Sequence, residues 1–401
     1  MTRSRQLVAV LVLGTADWDQ AIATNQHYAT RALAEGYTVT FVESMGLRRL
    51  ELSRRDVVRI LRRLVSKLIR RPSAGALARP RPEGLQVLTP FVVPQHTAAV
   101  ARWFNERSLR RLVAPWLEHD GPKLLWTYSP ETYRLEEFAD GIVYHCVDLL
   151  HEVPGITPAV VLAGEQRLAT AGAVAAGTGS VVVDHLRAQG FASPISWPNV
   201  ADVGTFDWTR PGAPTGPRAG RVVFGGNLST TKVDFPLLRR LVEAGLDLHL
   251  AGPVSEGGGN AREELDAVVA AGATYHGMLR AKELADLCAT ASVGVIPYLD
   301  NAYTRGVSPL KTYEYLAAGA CVVSTAIPAV VALGDDVLVC GDRDDFVAAV
   351  VANSEAPSDA VKMRRLLAAQ QHSWTRRGEE IRRTATAALV ETVVETVEVD
   401  R

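Results

Sequence analysis

The sequence predicts an α/β protein built as two Rossmann-like, doubly wound domains with a cleft between them. Length is the first reason: 401 residues, 47% of them hydrophobic, suffice for two separate cores. The second is that the chain opens on strand, glycine turn and helix, and repeats this unit after a Pro/Gly-rich linker from Thr209 to Gly220. The third is the recurrence of short, wholly apolar runs such as Cys321-Val322-Val323, which read as strands buried on both faces. The expected divisions are 1–208, 209–375, and a final helix over 376–401 that crosses back to the first domain.

Gln6 to Leu13 is the first strand and breaks at Gly14, so the loop Gly14 to Asp19 falls at the carboxyl edge of the sheet, where doubly wound folds bind ligands. Thr24 to Glu35 has helical spacing and stops at Gly36; Tyr37 to Glu43 is the next strand. Ser53 to Arg71 reads as an amphipathic helix, with Val57, Leu61, Leu64 and Leu68 on one side and arginines on the other. Between Leu47 and Arg81 stand twelve basic residues against Glu51 and Asp56, a local charge of +10 in a chain whose total is −1. Docking of the stripe explains the apolar side but not the scarcity of acids. Contact with an anionic membrane surface, or with a phosphorylated lipid acceptor, explains both. Nucleic acid is not expected, because no aromatic residues interleave with the arginines.

Leu85 to Val93 is read as a strand, Thr97 to Leu117 as one helix, and Lys123 to Tyr128 as a strand. Gly141 to Asp148 is a further strand whose end delivers Asp148 to the sheet edge, either as a helix cap or as a working carboxylate. His145 alternates to the other side and is expected to pack. Ala159 to Ala176 reads as a helix and Ser180 to Val183 as a short strand.

In the second half, Arg221 to Phe224 is a strand leading into Gly225-Gly226-Asn227, a loop whose amides suit a phosphate, with Lys232 following. Leu248 to Ala251 is a strand entering Gly252-Pro253; Val293 to Tyr298 is another. The stretch Tyr303 to Thr325 organises the rest: Ser308 as N-cap, Pro309 as first helical residue, Lys311 and Glu314 one turn apart, Gly319 as the stop. Spacing alone allows two readings of this helix: a surface Lys–Glu pair, or a phosphate at the helix mouth and sugar hydroxyls on the carboxylate. Val337 to Cys340 is a last strand before two closing helices.

Ser308-Pro-Leu-Lys-Thr-Tyr-Glu314-Tyr-Leu-Ala-Ala-Gly-Ala-Cys-Val-Val-Ser-Thr325 resembles the second-domain signature of GT-B nucleotide-sugar glycosyltransferases. The closest likeness is to the family 4-like retaining enzymes, in the bacterial branch that includes teichuronic acid biosynthesis transferases. The resemblance implies that Glu314 holds the nucleotide ribose. It places Ser308, Pro309, Leu310 and Lys311 with Gly226, Asn227, Lys232 and Gly252 by the diphosphate, and Gly277-Met278 near the base. In the first domain it implies an acceptor side at Gly14, Asp17, Trp18 and His27, and a role at the donor sugar for Asp148; Lys232 and Asp148 are the catalytic candidates. Two departures stand out: Gly306 occupies the position of a second acid, and Asn227 that of an arginine.

The activity implied is transfer of a sugar from a UDP, GDP or dTDP sugar to a sugar, lipid-linked or small-molecule acceptor, with no cofactor. The rivals are a non-catalytic nucleotide-sugar-binding protein, and an epimerase or NAD oxidoreductase on similar halves; the last lacks its G-x-G-x-x-G after the first strand. Cys146, Cys288, Cys321 and Cys340 are scattered without C-x-x-C spacing and are expected to be reduced core thiols, with no structural metal. No apolar run approaches the roughly 18 residues that span a bilayer. A cytoplasmic location is expected, with peripheral contact at the inner membrane face through residues 53–71.

Overall fold

The computed structural model describes residues 8–20, 23–47, 79–153, 155–216, 218–254, 261–331 and 334–399. The helix expected over Ser53 to Arg71 lies outside them. Two compact units emerge: residues 1–177, 182–196 and 378–401 form the first, residues 178–181 and 197–377 the second.

The first unit is a seven-stranded sheet of β1 (Ala9–Leu13), β2 (Thr38–Val42), β3 (Leu85–Leu88), β4 (Lys123–Thr127), β5 (Gly141–Cys146), β6 (Val174–Gly177) and β7 (Ile195–Ser196), in the order β3-β2-β1-β4-β5-β6-β7. Every pairing is parallel. All five residues of β1 and all six of β5 are buried, as a sheet covered by crossovers on both faces requires. The order in which successive strands are added reverses between β1 and β4, so the loops after these two strands share the switch point. The helices are α1 (Asn25–Ala34), α2 (Ala99–Leu112), α3 (Ala114–Leu117), α4 (Pro158–Thr170) and α5 (Ser180–Ala188).

Two sequence readings are corrected here. The single helix over Thr97 to Leu117 is broken at Val113, because Pro115 opens α3 and cannot continue α2. Ser180 to Val183 is helical, and the strand lies earlier, in Val174–Gly177, inside the span read as helix. Gly172, at φ 72°, ends the turn after α4, and Val182, Val183 and Leu186 then share the buried face of α5.

The second unit contains β8 (Arg218–Gly225), β9 (Asp247–Ala251), β10 (Thr274–Tyr275), β11 (Ala291–Ile296), β12 (Cys321–Thr325) and β13 (Val337–Cys340), all parallel, in the order β10-β9-β8-β11-β12-β13. Its helices are α6 (Val203–Phe206), α7 (Phe235–Glu243), α8 (Arg262–Ala270), α9 (Ala281–Ala289), α10 (Ala302–Arg305), α11 (Lys311–Ala317), α12 (Arg343–Ala352) and α13 (Asp359–Gln370). The switch point here is between β8 and β11. Three helices rather than two follow β13, the last being α14 (Trp374–Val399).

The sequence places the boundary in the Pro/Gly linker, at 208/209, whereas the compact units divide at 196/197. The reason is that Val203 and Phe206 are buried in the second core, and Ala201 exchanges backbone hydrogen bonds with His372 and Trp374. From Gly378 on, α14 packs with the first unit: Arg382 pairs with Glu35, Tyr37 Oη meets Thr386 Oγ1 at 2.9 Å, and a Cβ on Gly141 would sit 2.6 Å from the Ala388 carbonyl oxygen. The four cysteines are free and buried.

Candidate functional site

The carboxyl ends of β8, β9 and β10 are stitched into one glycine-lined wall. Gly226 N–H donates to the Ala251 carbonyl at 2.8 Å, and Gly252 N–H to that of Gly277 at 2.8 Å. At Gly252, φ is 133° and a Cβ would stand 2.0 Å from the Gly226 carbonyl oxygen, so no other residue permits this approach of two backbones. Beyond Gly226, Asn227 leaves its Oδ1 buried without a hydrogen-bond partner. Gly277, at φ 69°, has open space where a side chain would be, and Met278 is exposed.

Lys311 reaches across from α11 to this wall. Its Nζ donates to the Tyr298 hydroxyl at 2.6 Å, lies 5.1 Å from the Tyr298 ring centroid and 5.3 Å from that of Phe224, and would stand 2.9 Å from a Cβ on Gly226. Lys232 comes to the other side, 5.1 Å from the Tyr298 ring and 5.9 Å from that of Tyr303. Burial pushes the Tyr298 phenol up, but the two ammonium groups outweigh it and its pKa is lowered. Among the described residues Lys311 makes no ion pair, so a half-buried ammonium stands at the switch point against a phenol and two ring faces, with Glu314 near enough to feel its charge. This disposes of the surface Lys–Glu pair.

Glu314 also departs from expectation. It is partly covered rather than an exposed first-turn carboxylate, and burial pushes its pKa up to about 7, opposed by Lys311 and aided by Asp202. Among the described residues its carboxylate has no hydrogen-bond or ion-pair partner. Below it, Tyr315 is locked: its hydroxyl accepts from Gly225 N–H at 2.8 Å, and a Cβ on Gly294 would strike its ring at 2.2 Å.

The cap of this helix is corrected as well. Leu310, not Ser308, is the N-cap, and Lys311 rather than Pro309 is the first helical residue. Ser308 instead braces Asn199, whose N–H donates to Ser308 Oγ at 3.2 Å and whose Nδ2 donates to the Ser308 carbonyl at 2.6 Å. Gly306 ends α10 at φ −86°, a backbone any residue adopts.

The first unit brings together less of what the sequence assigned. Gly14 is held against Phe41 and Gln26, and Asp17 is exposed beyond it at the end of β1. Trp18 and His27, expected on the acceptor side, are fully buried: their rings pack 5.3 Å apart, and Trp18 also meets Phe41 at 5.4 Å. His27 takes the Thr24 N–H on Nδ1 at 3.0 Å and donates from Nε2 to the Asp17 carbonyl at 3.1 Å. Burial, then the nearby Arg79, lowers its pKa to about 4, so it stays neutral and ties the loop to α1. Asp148 is half-buried after β5 and is not a helix cap, since Leu149 opens the 3-10 turn Leu150–Glu152. His145 is buried against Tyr128, 5.0 Å between rings.

Sequence reasoning passed over Tyr298, on which both lysines converge. Its only signal is position, directly after Pro297 at the end of a wholly buried strand on the switch point. It also passed over Glu131, fully buried in the loop after β4, with Arg167 Nη2 at 2.9 Å and Arg102 at 3.4 Å.

Residues 221–355, which contain Gly226, Gly252, Gly277, Lys232, Tyr298, Lys311 and Glu314, match the family model described as glycosyl transferases group 1. The chain carries a glycosyltransferase domain and is a glycosyltransferase. Solved glycosyltransferases share the fold of both units. Sucrose-phosphate synthase from Thermosynechococcus elongatus matches with TM-score 0.68 at 14% identity, over 96% of this chain and 99% of that one. The α,α-trehalose 6-phosphate synthase of Burkholderia multivorans gives 0.59 at 13%, over 98% and 99%. Anabaena HepE, solved in complex with UDP-glucose, gives 0.57 at 12%, over 94% and 99%. No curated protein sequence matches the chain. The glycosyltransferase is thus built on two parallel-sheet, Rossmann-like units of GT-B type.

Proposed function

We propose that this glycosyltransferase binds a UDP, GDP or dTDP sugar on its second unit and passes the sugar, with retention of configuration, to an acceptor hydroxyl. The observation that carries the donor site is the Lys311 ammonium, half-buried at Gly226 with no counter-ion among the described residues. A half-buried cation with no ion-pair partner is placed for an anion to complete it, and a diphosphate does so. In this reading Lys311 and Lys232 hold the phosphate oxygens, with Asn227, Gly226, Gly252 and the turn at Ser308, Pro309 and Leu310 framing them. Glu314 accepts from the ribose hydroxyls, and Gly277-Met278 lie by the base. As the glycosidic bond breaks, negative charge builds on the leaving diphosphate, and the two lysines stabilise it. No protein nucleophile is nominated; Asp148 is the group proposed to act at the sugar, and Asp17 the one at the acceptor. The UDP-glucose bound to Anabaena HepE supports a UDP-type donor, and the Ser308 to Thr325 signature supports the family 4-like, teichuronic acid branch. Thermal-shift measurements with UDP, GDP and dTDP test the donor class: one of them raises the melting temperature, and no response to any refutes the site.

The acceptor is proposed to lie at an anionic membrane surface. The basic run of Arg48 to Arg81 supports this, and so does α2, where Val100, Trp103 and Phe104 are exposed, with Phe91 5.9 Å from Phe104 and with Arg107, Arg110 and Arg111 on the same helix. Each Lys or Arg near such a surface contributes on the order of 1 kcal/mol, screened within a Debye length. Co-sedimentation with anionic vesicles at low salt is expected, and is lost when Arg55, Arg59, Arg62 and Arg63 become Gln. A chain that ignores anionic vesicles at low salt has a water-soluble acceptor instead. Among the described residues, no helix is long and apolar enough to cross a membrane.

A further inference from the structure

On the face of the first sheet covered by α4 and α5, three side chains from separate elements converge. His151 comes from the 3-10 turn after β5, Glu165 from α4 and His185 from α5. One potential ligand atom from each lies within 4.8 Å of the other two. Glu165 is 1% exposed, so its carboxylate is inside the protein. It accepts from the Tyr144 hydroxyl at 2.9 Å on Oε1 and meets His185 Nε2 at 2.7 Å on Oε2. The His151 and His185 rings are stacked, 4.4 Å between centroids and 24° between planes. His151 Nδ1 is buried with no hydrogen-bond partner, and its Nε2 faces Glu152 at 3.5 Å.

Packing alone accounts poorly for this arrangement. A buried carboxylate needs a cation or several donors, and here it has one phenol and one imidazole. A stacked second imidazole with an orphaned ring nitrogen adds a ligand-capable atom that the hydrogen bonds do not use. Two imidazoles and a carboxylate, with Tyr144 orienting the carboxylate from behind, form a donor set suited to zinc. Ligand atoms around tetrahedral zinc stand about 3.4 Å apart, so Glu165 Oε2 and His185 Nε2, 2.7 Å apart, open slightly, while side-chain rotations that bring His151 in by up to about 1.4 Å complete the site.

We propose that His151, Glu165 and His185 bind one zinc-class divalent cation, which pins the turn after β5 to α4 and α5. The sequence expectation of no structural metal rested on the cysteines and did not weigh these three residues, which are brought together only by the fold. The bound ion fixes the segment that carries Asp148, three residues before His151. Water completes the coordination, and no chemical step is assigned to the ion.

The test uses the full chain, stripped with a chelator and titrated calorimetrically with zinc chloride, with cobalt chloride as a spectroscopic probe. One ion per chain is expected, with the visible absorption of tetrahedral cobalt. Glu165→Gln and His185→Asn are expected to abolish binding. Tyr144→Phe, which removes only the orienting hydroxyl, should weaken it by about 10- to 100-fold. His276→Asn, in the separate His249–His276 pair whose nitrogens lie 2.8 Å apart, should leave it unchanged. Octahedral cobalt absorption or no uptake by the wild type overturns the proposal, as does unchanged binding in folded Glu165→Gln and His185→Asn. Should those two variants fail to fold, the wild-type cobalt spectrum decides by itself.

Discussion

Lys311→Ala is expected to weaken nucleoside diphosphate binding by roughly 10- to 150-fold while leaving the parent nucleoside unaffected. A hydrogen bond to a charged group is worth about 1.5–3 kcal/mol, which converts to that range. The upper part of the range is expected, because Lys311 is half-buried at the wall and its ammonium lies against aromatic faces with no ion-pair partner among the described residues. The same substitution removes a cation from beside Tyr298, so the phenol should titrate at higher pH in the variant. Calorimetric titration with diphosphate and nucleoside, together with ultraviolet titration of the tyrosines, reads both effects. Equal loss for diphosphate and nucleoside would make Lys311 a packing residue of the wall.

The second large effect is expected from Glu314→Gln. Ribose hydroxyls donate to a carboxylate, and the ionised form accepts most strongly, so wild-type affinity should rise as pH climbs through about 7. The amide loses this dependence and about 10- to 150-fold in affinity above pH 7. Stability moves the other way. The folded pKa lies above the ordinary value of 4.5, so between 4.5 and 7 the folded state holds a proton that the unfolded chain has released. The resulting penalty is absent below pH 4.5 and complete above about pH 7, where Glu314→Gln should therefore stabilise the protein by about 1–3 kcal/mol. Chemical denaturation at pH 4.5 and pH 8 measures this. A stability difference independent of pH would show that the carboxyl titrates normally.

Most of the strands and the glycine loops of the wall were legible because local signals act there. Apolar runs mark strands buried on two faces, glycines mark backbone approaches, and the Ser308 to Thr325 stretch carries its pattern contiguously. What the sequence misread depended on tertiary context. Val174–Gly177 is a strand made of residues common in helices, and only pairing with β5 and β7 decides it. Ser308 looked like a cap until Asn199, more than a hundred residues away, took its Oγ and carbonyl. The resemblance implied ligand-facing roles for Trp18 and His27, yet the loop turns Trp18 and α1 turns His27 inward on Phe41. The His151, Glu165 and His185 cluster has no contiguous motif at all.

Release of nucleoside diphosphate from UDP-, GDP- and dTDP-sugars by the wild-type protein, with NMR detection of the sugar product, tests the central claim most directly. Slow hydrolysis of one donor class is expected, with the anomeric configuration retained and with turnover lost in Lys311→Ala. Tight diphosphate binding without release from any donor, with or without acceptor sugars, would contradict the account and leave a nucleotide-sugar-binding protein on a glycosyltransferase fold.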